Sequence, residues 1–254
     1  MQCVVLAGGF GRRMRPATDT LPKCLLAVFD RPFVDWQLEW LAAEGVDEVV
    51  FSIGYRGDLI RRHVGDGRRY GLRVVYVDEG DCPLGTAGAL RLSLDEGVLE
   101  PTFSVLYGDS YLPIHLRAVQ GKHDRSPAPV LMTVYRDTDR LERPNAVFVD
   151  GMVTWYEKGL TDPPPDMRYV DYGLSVWKRD VVEARVPAGA QADLSSLFTD
   201  LSLAGELAGY EATERFYEIG SPEGLRALDR HLRTVAGQGR RTGSTPDLGG
   251  PGHG

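Results

Sequence analysis

The sequence predicts an α/β fold: a mostly parallel mixed sheet with helices on both faces and antiparallel additions in its second half. Three observations point there. Short runs rich in Val, Ile and Tyr, each bounded by Gly, Pro or Asp, alternate with helical patterns as far as residue 135. Beyond about residue 140 the alternation gives way to closely spaced strand-like runs, two of them joined by the Asp150-Gly151 of a tight hairpin. The composition, 43% apolar and 26% charged, is that of a soluble chain able to bury a sizeable core.

The runs 3–7, 48–53, 73–77, 103–107 and 130–135 read as buried strands. Between them, 33–44 places Val34, Leu38 and Leu41 at helical spacing, 58–64 is a short helix, and 86–95 carries Leu90 and Leu94. Parallel strands need crossover connections, and these helices supply them. Later strands are expected at 145–149, 152–156 and 169–177. Helices return at 178–185, 193–203 and 222–234, the last with Ser221 as N-cap and Pro222 at its first position. From Ala236 the chain is Gly-rich and poor in large apolar residues, too little to offset the entropy of ordering. The expected organisation is one domain over 1–235 and a flexible tail over 236–254. No internal repeat or hexapeptide pattern interrupts it.

Lys and Arg number 29 against 36 Asp and Glu, a formal charge of -7, which disfavours nucleic acid as a partner. An anionic ligand must therefore meet a local cationic site. Cys3, Cys24 and Cys82 are odd in number, widely spaced and not paired as CxxC. That pattern argues against a disulfide framework or zinc site and for a reducing compartment. With no stretch near the ~18 apolar residues of a membrane span, and no signal-like start, the expectation is a cytoplasmic protein without a membrane partner. A homo-oligomer is left open.

The segment Leu6, Ala7, Gly8, Gly9, Phe10, Gly11, Arg12, Arg13, Met14, Arg15, Pro16 follows the first strand directly. Its three glycines permit positive φ and let backbone N–H groups approach an anion closely, while the arginines add charge. A triphosphate suits such a nest; a plain strand-to-helix turn with an exposed basic stretch fits the same letters. A dinucleotide fingerprint does not fit, because Met14 stands where its third glycine belongs and 52–55 lacks the ribose-binding acid. Neither does a Walker loop, since Lys23 lies twelve residues beyond Gly11. Tyr107-Gly108-Asp109 then puts a carboxylate at the carboxyl end of the fourth strand, where ligands of open α/β sheets bind. Seen alone, such an Asp is more often a turn residue.

These residues carry a resemblance. GGFGRRMRPATDTLPKCLL is similar to the signature GGxGxRxxPxTxxxPKxL of sugar-phosphate nucleotidylyltransferases, with Gly8, Gly9, Gly11, Arg13, Pro16, Thr18, Pro22 and Lys23 in register. Arg12 departs from the family's small Thr or Ser. The resemblance spans about residues 2–235 and implies a Rossmann-like nucleotide-diphospho-sugar transferase fold. It implies an enzyme of nucleotide-sugar and carbohydrate biosynthesis, with a nucleoside triphosphate and a sugar 1-phosphate as partners, Mg²⁺ as cofactor, and pyrophosphate as by-product. Leu6, Ala7, Gly8, Gly9, Gly11 and Arg12 would hold the nucleotide; Arg13 and Lys23 would neutralise its phosphates, acting with Asp109 in catalysis. Gly108 and Asp109 resemble the family's GD motif, whose Asp ligates Mg²⁺. Glu218, in FYEIGSP, stands where the family's WxDIGTP has Asp and is the expected second ligand.

Glu157-Lys158 resembles the family's EKP element, with Gly159 in place of Pro. The resemblance implies a sugar-phosphate site of Asn145, Glu157, Lys158, Asp171 and Gly173. The run CPLGTAG, with Pro83, Gly85 and Thr86, is expected near the nucleobase and looks like the guanylyl and the mannose- or heptose-type branches. Glu79 or Asp81 would accept from the N1–H and amino group of guanine. GTP with heptose or mannose 1-phosphate is therefore the expected pair. Uridylyl, thymidylyl or adenylyl transfer to another sugar phosphate, and a non-catalytic nucleotide-sugar-binding regulator, are the alternatives. His63, His115, His123, His231 and His253 fall outside every motif.

Overall fold

Neighbouring residues of the first strand, β1 (Gln2–Leu6), face two different cores: Cys3 and Val5 pack on one side of the sheet and Val4 on the other. That is the period-2 geometry of a strand covered on both faces, and it explains the unbroken apolar runs. The structure, a computed structural model, describes residues 1–80, 82–138 and 142–242, with side chains as far as Ala236. The strands after β1 are β2 (Glu48–Ile53), β3 (Arg73–Asp78), β4 (Thr102–Tyr107), β5 (Val130–Tyr135), β6 (Ala146–Val149), β7 (Met152–Tyr156), β8 (Val170–Lys178) and β9 (Leu207–Ala212). They form one nine-stranded sheet in the order β3-β2-β1-β4-β8-β5-β9-β7-β6. The run β3-β2-β1-β4 is parallel, β8 is antiparallel to both its neighbours, β9 is parallel to β5, and β7 and β6 complete an antiparallel edge. This is the mixed, mostly parallel sheet that the alternation predicts.

Helices α1 (Phe33–Ala43), α2 (Gly57–Val64), α4 (Leu116–Asp124) and α7 (Pro222–Thr242) cover one face. Helices α3 (Gly85–Asp95), α5 (Arg179–Arg185) and α6 (Leu194–Leu203) cover the other. At the β6–β7 hairpin Asp150 and Gly151 have φ of 51° and 81°, the left-handed pair that suits the twist of a two-residue turn. The Ser221 hydroxyl accepts from Gly224 N–H at 3.0 Å and caps α7, as its position before Pro222 predicts.

Two elements escape the sequence pattern. Helix α4 presents only Leu116, Val119 and His123 to the core, and Gly121 lowers its helix propensity. Strand β9 carries Gly209 at its centre, where any Cβ would run into the Phe148 ring. The packing partner, not strand propensity, fixes that residue. Helix α7 continues to Thr242, past the end of the expected domain at 235, because an established helix propagates at little cost. The rest of the expected tail, 243–254, lies outside the described residues, as do Asp81 and His253.

Candidate active site

The carboxyl ends of β1 and β4 lie side by side, Leu6 opposite Tyr107, and the chain leaves both into the same space. Gly108 N–H donates to Leu6 O at 2.9 Å, and a Cβ on Gly108 would come 2.7 Å from that oxygen, so glycine is needed for the close approach. A cleft of about 240 Å³ opens above this floor. Leu6, Ala7, Gly8, Gly9, Lys23, Glu79, Pro83, Gly85, Thr86, Gly108 and Asp109 all line it, each singled out in the sequence.

The glycine loop uses its glycines in different ways. Of its three glycines only Gly11 has a positive φ, 61°, at the start of a 3-10 turn over Arg12–Met14. Gly8 leaves room for Glu79 instead: a Cβ there would push the Glu79 carboxylate off its bonds to Ser52 and Leu84. The loop is held from below, since the buried Thr18 hydroxyl donates to Gly11 O at 2.9 Å and Tyr55 N–H to Gly8 O at 3.3 Å. Arg12 is exposed, with its guanidinium 5.4 Å from the Phe10 ring centre, and neither Gly11, Arg12 nor Arg13 lines the cleft itself.

Lys23 Nζ and Asp109 Oδ2 pair at 2.5 Å across 86 residues of sequence. A two-stranded ribbon brings in the next group: Glu218 pairs in register with Ser110, and Ile219 N–H donates to Asp109 O at 2.9 Å. Asp109 Oδ2 and Glu218 Oε2 each lie 3.5 Å from the point where a side chain on Gly220 would begin, and Arg13 Nη2 lies 3.2 Å from it. Two carboxylates and two cations thus converge on one spot. Burial, then the charges of Asp109 and Glu142, push the Glu218 carboxyl up to about 7, with Arg13 and Lys23 partly opposing them. Two hard oxygen donors that repel each other fit a divalent cation such as Mg²⁺, which would relieve the repulsion. Among the described residues no group of three or more His, Cys, Asp or Glu is placed to hold a metal.

The residues assigned to the sugar side gather beside the cleft rather than in its lining. Asn145 Oδ1 accepts from Asp171 N–H at 2.9 Å, and Asn145 O accepts from Glu157 N–H at 2.9 Å. Asp171 accepts from Gly173 N–H at 2.9 Å, and Gly173, with φ 100°, brings the chain against Ser110. Burial holds the Asp171 carboxyl above its ordinary range, partly offset by the Gly173 N–H, Lys158 and the Tyr107 hydroxyl. Tyr107 is the link: its ring lines the cleft and its hydroxyl donates to Asp171 Oδ2 at 3.4 Å.

At the other end of the cleft two carboxylates clasp the first turn of α3. Glu79 Oε2 accepts from Leu84 N–H at 2.9 Å and its Oε1 from Ser52 Oγ at 3.2 Å, while burial raises its carboxyl above the ordinary range. Asp193 Oδ1 accepts from Thr86 N–H at 3.2 Å, and Ala192 O takes the next two N–H groups, those of Ala87 and Gly88. The N–H groups of Leu84, Thr86, Ala87 and Gly88 are thus taken up by protein acceptors.

Residues 2–232 match the family model described as nucleotidyl transferase. The chain belongs to the nucleotidyl transferase family. It is 30% identical over 232 residues to a mannose-1-phosphate guanylyltransferase of Mycobacterium tuberculosis, which covers 88% of this chain but only 62% of that protein. A D-glycero-alpha-D-manno-heptose 1-phosphate guanylyltransferase of Aneurinibacillus thermoaerophilus is 23% identical, with 92% and 99% covered. Other relatives are uridylyl- and thymidylyltransferases. A crystal structure of UDP-glucose pyrophosphorylase complexed with UDP-glucose shares the fold, with a TM-score of 0.75, 16% identity, and 92% and 98% covered. The mixed nine-stranded sheet with its helices is thus the shared fold. No helix among the described residues is long and apolar enough to cross a membrane.

Four cleft residues were not singled out in the sequence: Cys24, Ala89, Tyr107 and Asp193. Cys24 and Tyr107 each adjoin a motif residue, so the strand and turn geometry could have flagged them. Asp193 carries no local signal, because it reaches the cleft only by the packing of 190–193 over Gly85 and Gly88. The four described histidines bond elsewhere: His63 to Asp35, His115 to Glu44, His123 to Pro129 O and His231 to Tyr217.

Proposed function

We propose that this nucleotidyl transferase joins a nucleoside triphosphate to a sugar 1-phosphate, releasing pyrophosphate, with GTP and heptose or mannose 1-phosphate as the preferred pair. The observation that carries the reading is the convergence of Lys23, Arg13, Asp109 and Glu218 at the edge of the cleft, next to the Asn145, Lys158 and Asp171 cluster. The sugar-phosphate oxygen, already an anion, attacks the α-phosphorus in line; the new P–O bond forms as the bond to pyrophosphate breaks. No general base is required.

Catalysis then consists of placing two anions together and neutralising them. Lys23 and Arg13 supply charge at the α-phosphate, the glycine loop cradles the β- and γ-phosphates, and Lys158 holds the sugar phosphate. Mg²⁺, held by Asp109 and Glu218, would add the charge neutralisation that two side-chain cations cannot supply for a triphosphate beside a second phosphate. Guanine is favoured because the groups at the base end, Glu79 and Asp193, are acceptors only, matching the N1–H and amino donors of that base. The three free cysteines, two of them buried, suit the reducing cytosol in which such substrates are made.

The test is pyrophosphate release from each common nucleoside triphosphate crossed with hexose and heptose 1-phosphates in the presence of Mg²⁺. The expected result is turnover with GTP and a manno-configured sugar phosphate. Release with no pair would refute the enzymatic reading, and release with UTP or dTTP alone would refute the choice of base.

A further inference from the structure

Gln37 sits in α1 with its side chain fully buried, and no motif or role described so far uses it. Its Nε2 donates to Tyr107 O at 3.1 Å and to Ser110 O at 3.0 Å, the two residues that flank Gly108 and Asp109. Both amide protons are thus committed to the two ends of the turn that carries Asp109. The same turn is tied inside by Gly108 N–H to Leu6 O and by Ile219 N–H to Asp109 O, each at 2.9 Å. Gln37 Oε1, meanwhile, has no hydrogen-bond partner among the described residues. Burying an unsatisfied acceptor is unfavourable, and an apolar side chain of the same shape would fill the space without that cost. The two donated bonds therefore account for a glutamine at this position, and what they hold is the backbone under Asp109.

We propose that Gln37 is a positioning residue for nucleotidyl transfer: it fixes the 107–110 turn so that the Asp109 carboxylate stays aimed at Lys23 and Glu218. The turn carries Asp109 past the end of the β4 ladder, where the ribbon bond from Ile219 N–H and the Gln37 amide take over its support. A small rotation of the turn would carry the carboxylate away from Glu218, and the pair would lose its shared affinity for a dication. Residues that orient ligands from behind change metal affinity or rate by about 10- to 100-fold when removed. The inference rests on the functional reading above.

The experiment compares wild type with Gln37→Met, which keeps the packing and removes both donors, and Gln37→Glu, which keeps the shape and exchanges the amide for a carboxyl. Binding of Mn²⁺ alone is followed by the loss of its free electron paramagnetic resonance signal, pyrophosphate release by its rate, and folding by thermal melting. Gln37→Met is expected to weaken Mn²⁺ binding about 10-fold and lower kcat about 10- to 100-fold, with the KM for the nucleotide within about threefold. In an Asp109→Asn background the same substitution is expected to add nothing, since the two changes act through one carboxylate. A folded Gln37→Met protein with wild-type Mn²⁺ affinity and kcat overturns the proposal, as does a full additive loss in the Asp109→Asn background. Should Gln37→Met melt below assay temperature, the same two readings on Gln37→Glu decide it. A wild type that neither binds Mn²⁺ nor releases pyrophosphate sinks the functional reading and this proposal together; a working wild type matched by its variants sinks this proposal alone.

Discussion

Glu218 is held at a cost to the metal-free protein, and replacing it by Gln should make the fold more stable as it removes activity. The carboxyl is raised from 4.5 to about 7, first by burial and then by Asp109. A raised acid favours the folded state fully below about 4.5, where the group is protonated in folded and unfolded chains alike. That contribution is lost as pH climbs to about 7, because the unfolded chain ionises first. A tenfold difference in proton affinity is worth about 1.36 kcal/mol, so by pH 8 the loss reaches at most about 3 kcal/mol. Gln cannot ionise and avoids it. With a chelator present, Glu218→Gln should melt above wild type at pH 8 by roughly 6–12 °C, taking about 2–4 °C per kcal/mol for a chain of this size. At pH 4.5 the two should coincide. Differential scanning calorimetry across this range is the assay. Equal melting temperatures at pH 8, or a difference that persists unchanged at pH 4.5, would show that Glu218 is not the strained group described here. With Mg²⁺ the ranking should narrow, because the cation stabilises only the chain that keeps both carboxylates.

Asp109→Asn should lower the rate of pyrophosphate release at least about 100-fold while leaving circular dichroism and melting near wild type; an unchanged rate would remove Asp109 from the reacting centre. Asp193→Asn keeps an oxygen for the Thr86 N–H but places an amide donor beside it in the cleft. The kcat/KM ratio of GTP to UTP should fall about 10- to 100-fold, and an equal loss for both would assign Asp193 to structure alone. Gly209→Val should destabilise the chain by about 1–3 kcal/mol through the clash with Phe148, read from the urea midpoint; no change would mean that β9 and β6 can shift apart.

The parts of this molecule that were legible in the letters are those whose signal is local. The buried runs that became β1 to β5, the Asp150-Gly151 turn and the Ser221 cap each need only a few neighbours to state their preference. The letters permit a positive φ at each of the three loop glycines, and only Gly11 uses it; Gly8 answers to Glu79, 71 positions away. Helix α4 and strand β9 were missed for the same reason, since each is held by what packs on it rather than by its own pattern.

The sequence by itself determined the sheet class and the glycine, Lys and Asp motifs at its carboxyl edge, because period, turn chemistry and motif spacing are properties of contiguous residues. Only the tertiary structure decided that Lys23 meets Asp109, that Glu218 joins them through a two-residue ribbon, and that Asp193 and Gln37 reach the cleft and its floor. Those meetings depend on the order in which strands enter the sheet, and a crossover connection leaves no trace of its destination in the residues that make it.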